Sequence, residues 1–301
     1  MAPQRQRGIA LIIVLWTLTL LTVIAANFGF AMRTETLAVR NAWAAAQAEA
    51  MADGAVHRAL YALFQQAGEA EAWQADGSER QWEIDGARIR VVMMDVSGKI
   101  DINTSSDALL KGLLLSAGVD EAKAVQLLDA ILDWRDVDTL PRAHGAEGEA
   151  YRAAGLKYQP ANAPFAAVEQ LQQVLGMTPD IYSRLAPLIT VLSKQSGINP
   201  LVAQRGVLLA IPDLNAAQVD AYLEQRQLFL ANRQTPPLLP AAAAYTSAPV
   251  NTLIDVRAEA SLTEGAVFVR EAVVSRGGDA QSPIAFLSWK EGRPAPAAEA
   301  R

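Results

Sequence analysis

From Ile9 to Met32 the chain carries no charged residue: IALIIVLWTLTLLTVIAANFGFAM. Wound as a helix, this run is roughly 36 Å long, against about 30 Å of bilayer hydrocarbon, so it can cross a membrane. Arg5 and Arg7 stand before it. Such a basic flank stays cytoplasmic and delivers the following chain to the far side. A cleaved secretory signal would be shorter and closed by a small-x-small site, whereas here the apolar run passes Ala25 and Ala26 unbroken into an Ala-rich pattern. The residues alone leave two readings, an uncleaved signal anchor or the first half of a longer helix.

Helical spacing persists from Arg33 to about Gln66, with Val56, Leu60, Leu63 and Phe64 on one face. This stretch either extends the apolar run as one helix, with Gly29 and Gly54 as candidate bends, or forms a second helix. Gln81 to Ile84 alternates, Asp85-Gly86 is a hairpin turn, and Ile89, Val91 and Met93 follow at period two. From Asn103 to about Gln234 the pattern is helical: Leu109, Leu110, Leu113 and Leu114, then Val125, Leu128, Ile131 and Leu132, with further groups at 168–175, 185–189 and 219–223. Strand signals return at Val250–Val256, Ala266–Val274 and Ile284–Trp289, with Gly277-Gly278 as a turn. Strands on both sides of a helical block predict an α+β fold: an N-terminal helix packed on a small antiparallel sheet, with an all-α domain inserted between strands. The Pro- and Ala-rich tail after Gly292 is expected to be disordered.

Composition removes several function classes. A net charge of -6 argues against a protein built to neutralise phosphates. Zero Cys and two His exclude thiolate chemistry, Cys-type zinc sites and His-rich metal centres. His57 and His144 are expected as a packing residue and a surface residue. No nucleophile elbow, phosphate-cradling Gly loop or His-containing dyad stands in the sequence, so an enzyme is not expected.

Two motifs remain. Gly98-Lys99-Ile100-Asp101-Ile102-Asn103-Thr104 and Gly197-Ile198-Asn199-Pro200 each precede a helical pair, with Asn103 and Asn199 as candidate N-caps. The first resembles the opening of helix-hairpin-helix modules, which grip DNA phosphates. The alternative function is therefore a membrane-anchored helix-hairpin-helix DNA-binding protein, similar to uptake receptors. Against it, the hairpin Ser116-Ala117-Gly118-Val119-Asp120-Glu121 holds one Gly and two acids where a phosphate would sit. The second motif is Asp133 to Glu149, DWRDVDTLPRAHGAEGE. Its carboxylates fall at a helix C-terminus, where they oppose the helix dipole unless a cation compensates. Taking Asp136 as position 1 puts Asp138 and Glu147 at EF-hand positions, but Leu140 and Pro141 replace the oxygen ligand and the Gly of that loop. A solvated turn neutralised by Arg135 and Arg142, or a different calcium loop, both fit the residues.

The junction Arg5-Gln6-Arg7-Gly8 running directly into the apolar segment resembles the type IV pilin and pseudopilin family. The resemblance implies that a prepilin peptidase cuts between Gly8 and Ile9 and that the new terminus is methylated. Pilins carry Glu five residues into the mature chain, where this sequence has Ile13. That apolar replacement is similar to the K-type minor pseudopilin of type II secretion, as are Ile102-Asn103-Thr104, the Asp-Trp-Arg-Asp run and Gly145, Ala146, Glu147 and Tyr151. The resemblance implies calcium on Asp136, Asp138 and Glu147, with Asp133 and Glu149 as further candidates. It also implies a pilin-like fold, a tip complex with I- and J-type minor pseudopilins, an inner-membrane location with periplasmic domains, and contact with the secretin or exoproteins. The expected boundaries are 1–8 leader, 9–32 span, 33–102 and 236–292 pilin-like unit, 103–235 inserted domain, and 293–301 tail.

Overall fold

A computed structural model describes residues 7–64, 73–232, 234, 236–237, 239–247, 252–277 and 284–294. The leader before Arg7, Val250, Gly278 and the tail after 294 therefore lie outside the described residues. The apolar run and the Ala-rich stretch form one helix, α1 (Arg7–Phe64, 58 residues), continuous through Gly29 and Gly54. Its first half is exposed from Ile9 to Trp43, and its first buried residue is Ala44. In this half Thr17, Thr19 and Thr22 donate their hydroxyls to carbonyls one turn back, at 2.8 to 3.0 Å, so each hydroxyl is satisfied within the helix.

The second half of α1 lies on a five-stranded antiparallel sheet of order β1 (Asp76–Ile84), β2 (Ala87–Asp95), β5 (Leu253–Leu262), β6 (Val267–Arg276) and β7 (Ile284–Glu291). Asp85 and Gly86 take φ of 48° and 76°, the left-handed pair required by the expected two-residue hairpin turn. Ala52, Ala55, Val56, Ala59 and Leu60 of α1 face Ile89, Val91 and Met93 of β2, Ile254 and Val256 of β5, and Ala272 and Val274 of β6. Period 3.6 on the helix and period 2 on the strands thus meet in one core, each buried Val or Ile contributing about 1.5–3 kcal/mol. At its edge Arg270 of β6 reaches Asp53 at 2.6 Å and Glu49 at 2.7 Å on α1, with its guanidinium 4.8 Å from the Phe268 ring and 5.1 Å from the Trp289 ring. His57 packs against Phe286 and Trp289 of β7, as a packing residue should.

Between β2 and β5 lies the inserted region, with a hydrophobic core of its own. It contains α2 (Asp107–Ser116), α3 (Glu121–Arg135), α4 (Gly148–Ala153), α5 (Pro179–Leu185), α6 (Arg205–Leu208) and α7 (Ala216–Ala231). Three expectations are corrected. The insertion is not purely helical: β3 (Ile100–Asp101) pairs in parallel with β4 (Ile189–Thr190). Ile189 carries a helical spacing, but a two-residue ladder between segments this far apart leaves no periodicity to read. The group at 168–175 forms a 3₁₀ turn, Val168–Gln173, rather than an α-helix. Neither Asn is a cap. Ser106 caps α2, while Asn103 donates to Phe165 O at 2.9 Å and accepts from Phe165 N at 2.8 Å. Asn199 accepts from Leu201 N at 3.1 Å, ahead of α6. The Asn103 amide offers a donor and an acceptor on separate atoms, so it pairs with both backbone groups of Phe165.

Insertion and sheet are joined by polar clamps as well as by chain. Lys99 pairs with Asp255 of β5, and Lys290 of β7 pairs with Glu169. Asn199 N donates to Ser97 O at 2.8 Å. Lys290 is held above the usual lysine range by Glu169 despite its burial.

Candidate metal centre

Asp133 organises the acidic loop. It sits in the last turn of α3 with no exposed surface. Burial pushes its carboxyl up, and backbone N–H groups work against that. Arg142 N lies 3.2 Å from both of its oxygens and Ala146 N is 2.8 Å from Oδ2, so the loop is wound around the carboxylate. Gly145 has to be glycine here: a Cβ would stand 1.9 Å from Asp133 Oδ2. Outer fastenings add His144 N to Asp129 Oδ2 at 3.0 Å, Leu140 N to Asp138 Oδ1 at 2.9 Å, and Asn162 Nδ2 to Asp138 O at 2.6 Å. Beneath lies an aromatic floor. Trp134 stacks on Phe165 at 5.9 Å and lies 6.2 Å from Tyr151, whose phenol accepts from Leu175 N and is pushed up to about 12 by burial.

This winding brings three carboxylates together. One oxygen each from Asp136, Asp138 and Glu147 lies within 4.8 Å of the others. Asp136 caps the C-terminus of α3, and Glu147 is the residue before α4. Glu147 is buried, Asp136 half-buried and Asp138 exposed. Burial first, and the neighbouring acids second, raise the Asp136 and Glu147 carboxyls above the ordinary carboxylate range. Asp136 Oδ1 and Glu147 Oε1 are buried without a hydrogen-bond partner. Leaving charged oxygens buried and unpaired is costly, and a cation placed among them would supply the missing partner.

The alternative of a turn neutralised by Arg135 and Arg142 finds no direct ion pair from either arginine to Asp136, Asp138 or Glu147 among the described residues. Arg135 donates to the carbonyls of Ile102 and Ser105, and Arg142 Nε lies 3.7 Å from Asp133. Among the described residues no ion pair reaches Asp136, Asp138 or Glu147. All the donors are hard oxygens, and His144 is exposed with its backbone, not its ring, engaged. The cluster could therefore hold a metal ion, and its donors suit a hard divalent cation.

Of the other sequence candidates, Asp133 has its oxygens taken by backbone N–H groups, and Glu149 is exposed in the first turn of α4, outside the cluster. Gly8 and Ile9 lie in the first turn of α1, and Ile13 is exposed on its surface. Sequence reasoning quoted Gly145 only as part of a family motif, with no structural reason for it, and did not single out Asp129 or Asn162. Gly145 needs no Cβ only because of where Asp133 points, and Asp129 and Asn162 are brought in by folding, with no local signal.

Comparisons with known proteins agree with this architecture. The family described as type II secretion system (T2SS), protein K, matches residues 92–194, which run from the end of β2 through β4. The type II secretion system protein K of Klebsiella pneumoniae is 29% identical over 255 residues, covering 77% of each chain. The protein of the same name from Pectobacterium carotovorum is 30% identical over 249 residues, covering 74% of this chain and 76% of the relative. A chain in the crystal structure of the GspK–GspI–GspJ complex from the enterotoxigenic Escherichia coli type 2 secretion system superposes with a TM-score of 0.56. That match has 18% identity and covers 87% of this chain and 99% of that one, so the fold, with its helical insertion, is shared. With a shared fold and a 30% identical relative matched over most of both lengths, the chain belongs to the type II secretion system protein K family.

Proposed function

We propose that this minor pseudopilin caps the tip of the type II secretion pseudopilus and initiates its assembly for export of folded proteins across the outer membrane. Family membership makes it a structural protein rather than an enzyme. The observation that carries the tip reading is α1 together with the insertion: a helix exposed along its first half whose second half lies on a sheet that carries an extra domain between β2 and β5. Prepilin peptidase would cut between Gly8 and Ile9, leaving Ile9 as a methylated N-terminus. The helix would span the inner membrane once, with the soluble parts in the periplasm. Ile13, in place of a pilin Glu, demands no partner charge from a subunit above, as suits a terminal position. The partners would be I- and J-type minor pseudopilins, the proteins named with GspK in the matched complex. The insertion would face the secretin or exoproteins.

In this reading the boundaries stand at 33–102 and 236–292 for the pilin-like unit and 103–235 for the insertion. The pairs α2–α3 and α6–α7 are helix-hairpin-helix-like units used as scaffold. Asp120 caps α3 through Lys123 N at 3.0 Å and Glu121 pairs with Lys111, so the hairpin offers acid rather than an anion site. Asp136, Asp138 and Glu147 would hold calcium, which would neutralise the orphaned oxygens and stiffen the loop over Trp134.

The test is the N-terminal sequence and mass of the membrane-extracted protein from hosts with and without a prepilin peptidase. A chain that begins at Ile9 only when the peptidase is present supports the reading. Persistence of Met1 or Ala2 in both hosts overturns it.

A further inference from the structure

A hollow lined without any carboxylate side chain stands out in a chain of net charge -6. It opens between α3, the loop wound on Asp133 and the turn that follows the 3₁₀ segment, with a volume of about 190 Å³. Lys123, Gln126 and His144 give its polar side, and Ala130, Ala146 and Leu175 its apolar one. The acids nearest in sequence are engaged elsewhere. Glu121 pairs with Lys111, Asp120 accepts the backbone N–H of Lys123, Asp129 accepts that of His144, and Asp133 accepts those of Arg142 and Ala146.

Gly176 supplies a second observation. Its φ is 86°, and a Cβ there would stand 2.7 Å from Lys123 Nζ, so the ammonium lies directly against this wall of the hollow. Lys123 is half-buried, and among the described residues neither a hydrogen bond nor an ion pair reaches its amine. A half-buried ammonium beside apolar carbon gains a strong, charge-assisted bond from an anion. The hollow is smaller than the roughly 300 Å³ of a drug-sized pocket, which leaves room for one short group. A lone ammonium with no arginine fork beside it suits a single carboxylate better than a doubly charged phosphate.

We infer that this hollow is a carboxylate subsite. It takes an acid of the glutamate or aspartate type, with the carboxylate on Lys123 Nζ and the methylene stem against Ala130, Ala146 and Leu175. The acid is either the side chain of a docked protein or a free small molecule, and the same contacts serve both. The subsite stands apart from the cluster of Asp136, Asp138 and Glu147, since none of those three lines it. It needs neither the cation nor the assembly reading above.

A water-soluble carbodiimide joins an amine to a carboxylate in contact with it as an amide, and is itself hydrated to a urea. Three ion pairs of the chain, Lys99–Asp255, Lys111–Glu121 and Lys290–Glu169, serve as internal controls. The detergent-solubilised full chain is treated with carbodiimide and acetyl-glutamate amide, and acylation of each lysine is read by mass. The subsite predicts a Lys123 product about fivefold or more above that of the exposed Lys157, saturating with probe concentration. In parallel, membranes of cells carrying the whole secretion apparatus are cross-linked without the probe. A Lys123 amide to an acid of another protein there assigns the side-chain source, whereas probe selectivity without such a link assigns the small molecule. Equal acylation of Lys123 and Lys157, with no Lys123 link in the membranes, overturns the subsite, as does a link from Lys123 to an acid of its own chain. Suppression of the Lys123 product by acetyl-glutamine amide, or by inorganic phosphate as well as by glutarate at equal ionic strength, overturns the choice of a carboxylate.

Discussion

Replacing Gly145 with alanine tests whether the acidic loop is built around Asp133. The new Cβ would lie 1.9 Å from Oδ2 and 2.7 Å from Cγ of a carboxylate with no exposed surface. Neither side can yield cheaply, since the obstacle is held by Arg142 N and Ala146 N rather than being the free end of a flexible chain. The least disruptive adjustment breaks the 2.8 Å bond from Ala146 N, leaving a charged oxygen and a backbone donor under-satisfied. That loss costs about 2–3 kcal/mol. In a chain of this size it lowers the melting temperature by roughly 3–5 °C. The assay is thermal unfolding of the detergent-solubilised chain for Gly145→Ala, Asp133→Ala and the double variant. Because the clash needs both groups, Gly145→Ala should cost little once Asp133 is already alanine. Additive losses, or a single variant as stable as the wild type, would refute the reasoning.

Three further outcomes follow from the same geometry. The Asp136 and Glu147 carboxyls are raised in the folded state, so without a cation the folded chain holds more protons than the unfolded one, and its stability falls as pH rises above about 4. Calcium at millimolar concentration should abolish that fall, and an identical pH–melting profile with chelator and with calcium would count against the site. Glu147→Gln removes one buried, repelled charge; it should leave the cation-free chain as stable as the wild type or more so, while erasing the calcium-induced rise in melting temperature. Arg270→Ala leaves Glu49 and Asp53 without their cation and should cost about 2 kcal/mol in a denaturant titration, less than a fully buried pair because Glu49 is half exposed. DNA should not be retained at low salt in a fluorescence anisotropy titration, since the turn between α2 and α3 carries Asp120 and Glu121; saturable binding would revive the helix-hairpin-helix alternative.

Much of this protein was set by local sequence. The uncharged run, the Asp85-Gly86 turn, the alternation of Ile89, Val91 and Met93 and the leucine pairs of α2 are patterns of neighbouring residues. A helix or hairpin is decided within about one turn of chain, so such patterns suffice to name it. The convergence of Asp136, Asp138 and Glu147 was also legible as a possibility, because all three fall within one short acidic stretch.

What tertiary structure alone decided are the pairings between distant segments. Asn103 and Phe165, β3 and β4, Arg270 and the acids of α1, and Asn162 over Asp138 are all products of chain return. The fate of the two arginines in the acidic run shows why. Sequence distance made Arg135 and Arg142 natural neutralisers of the cluster, yet folding sends one to the Ile102 and Ser105 carbonyls and the other to Asp133. A buried carboxylate and buried carbonyls claim cations more strongly than a half-exposed cluster can. The loop is thereby left with orphaned oxygens, a consequence that no local pattern of residues contains.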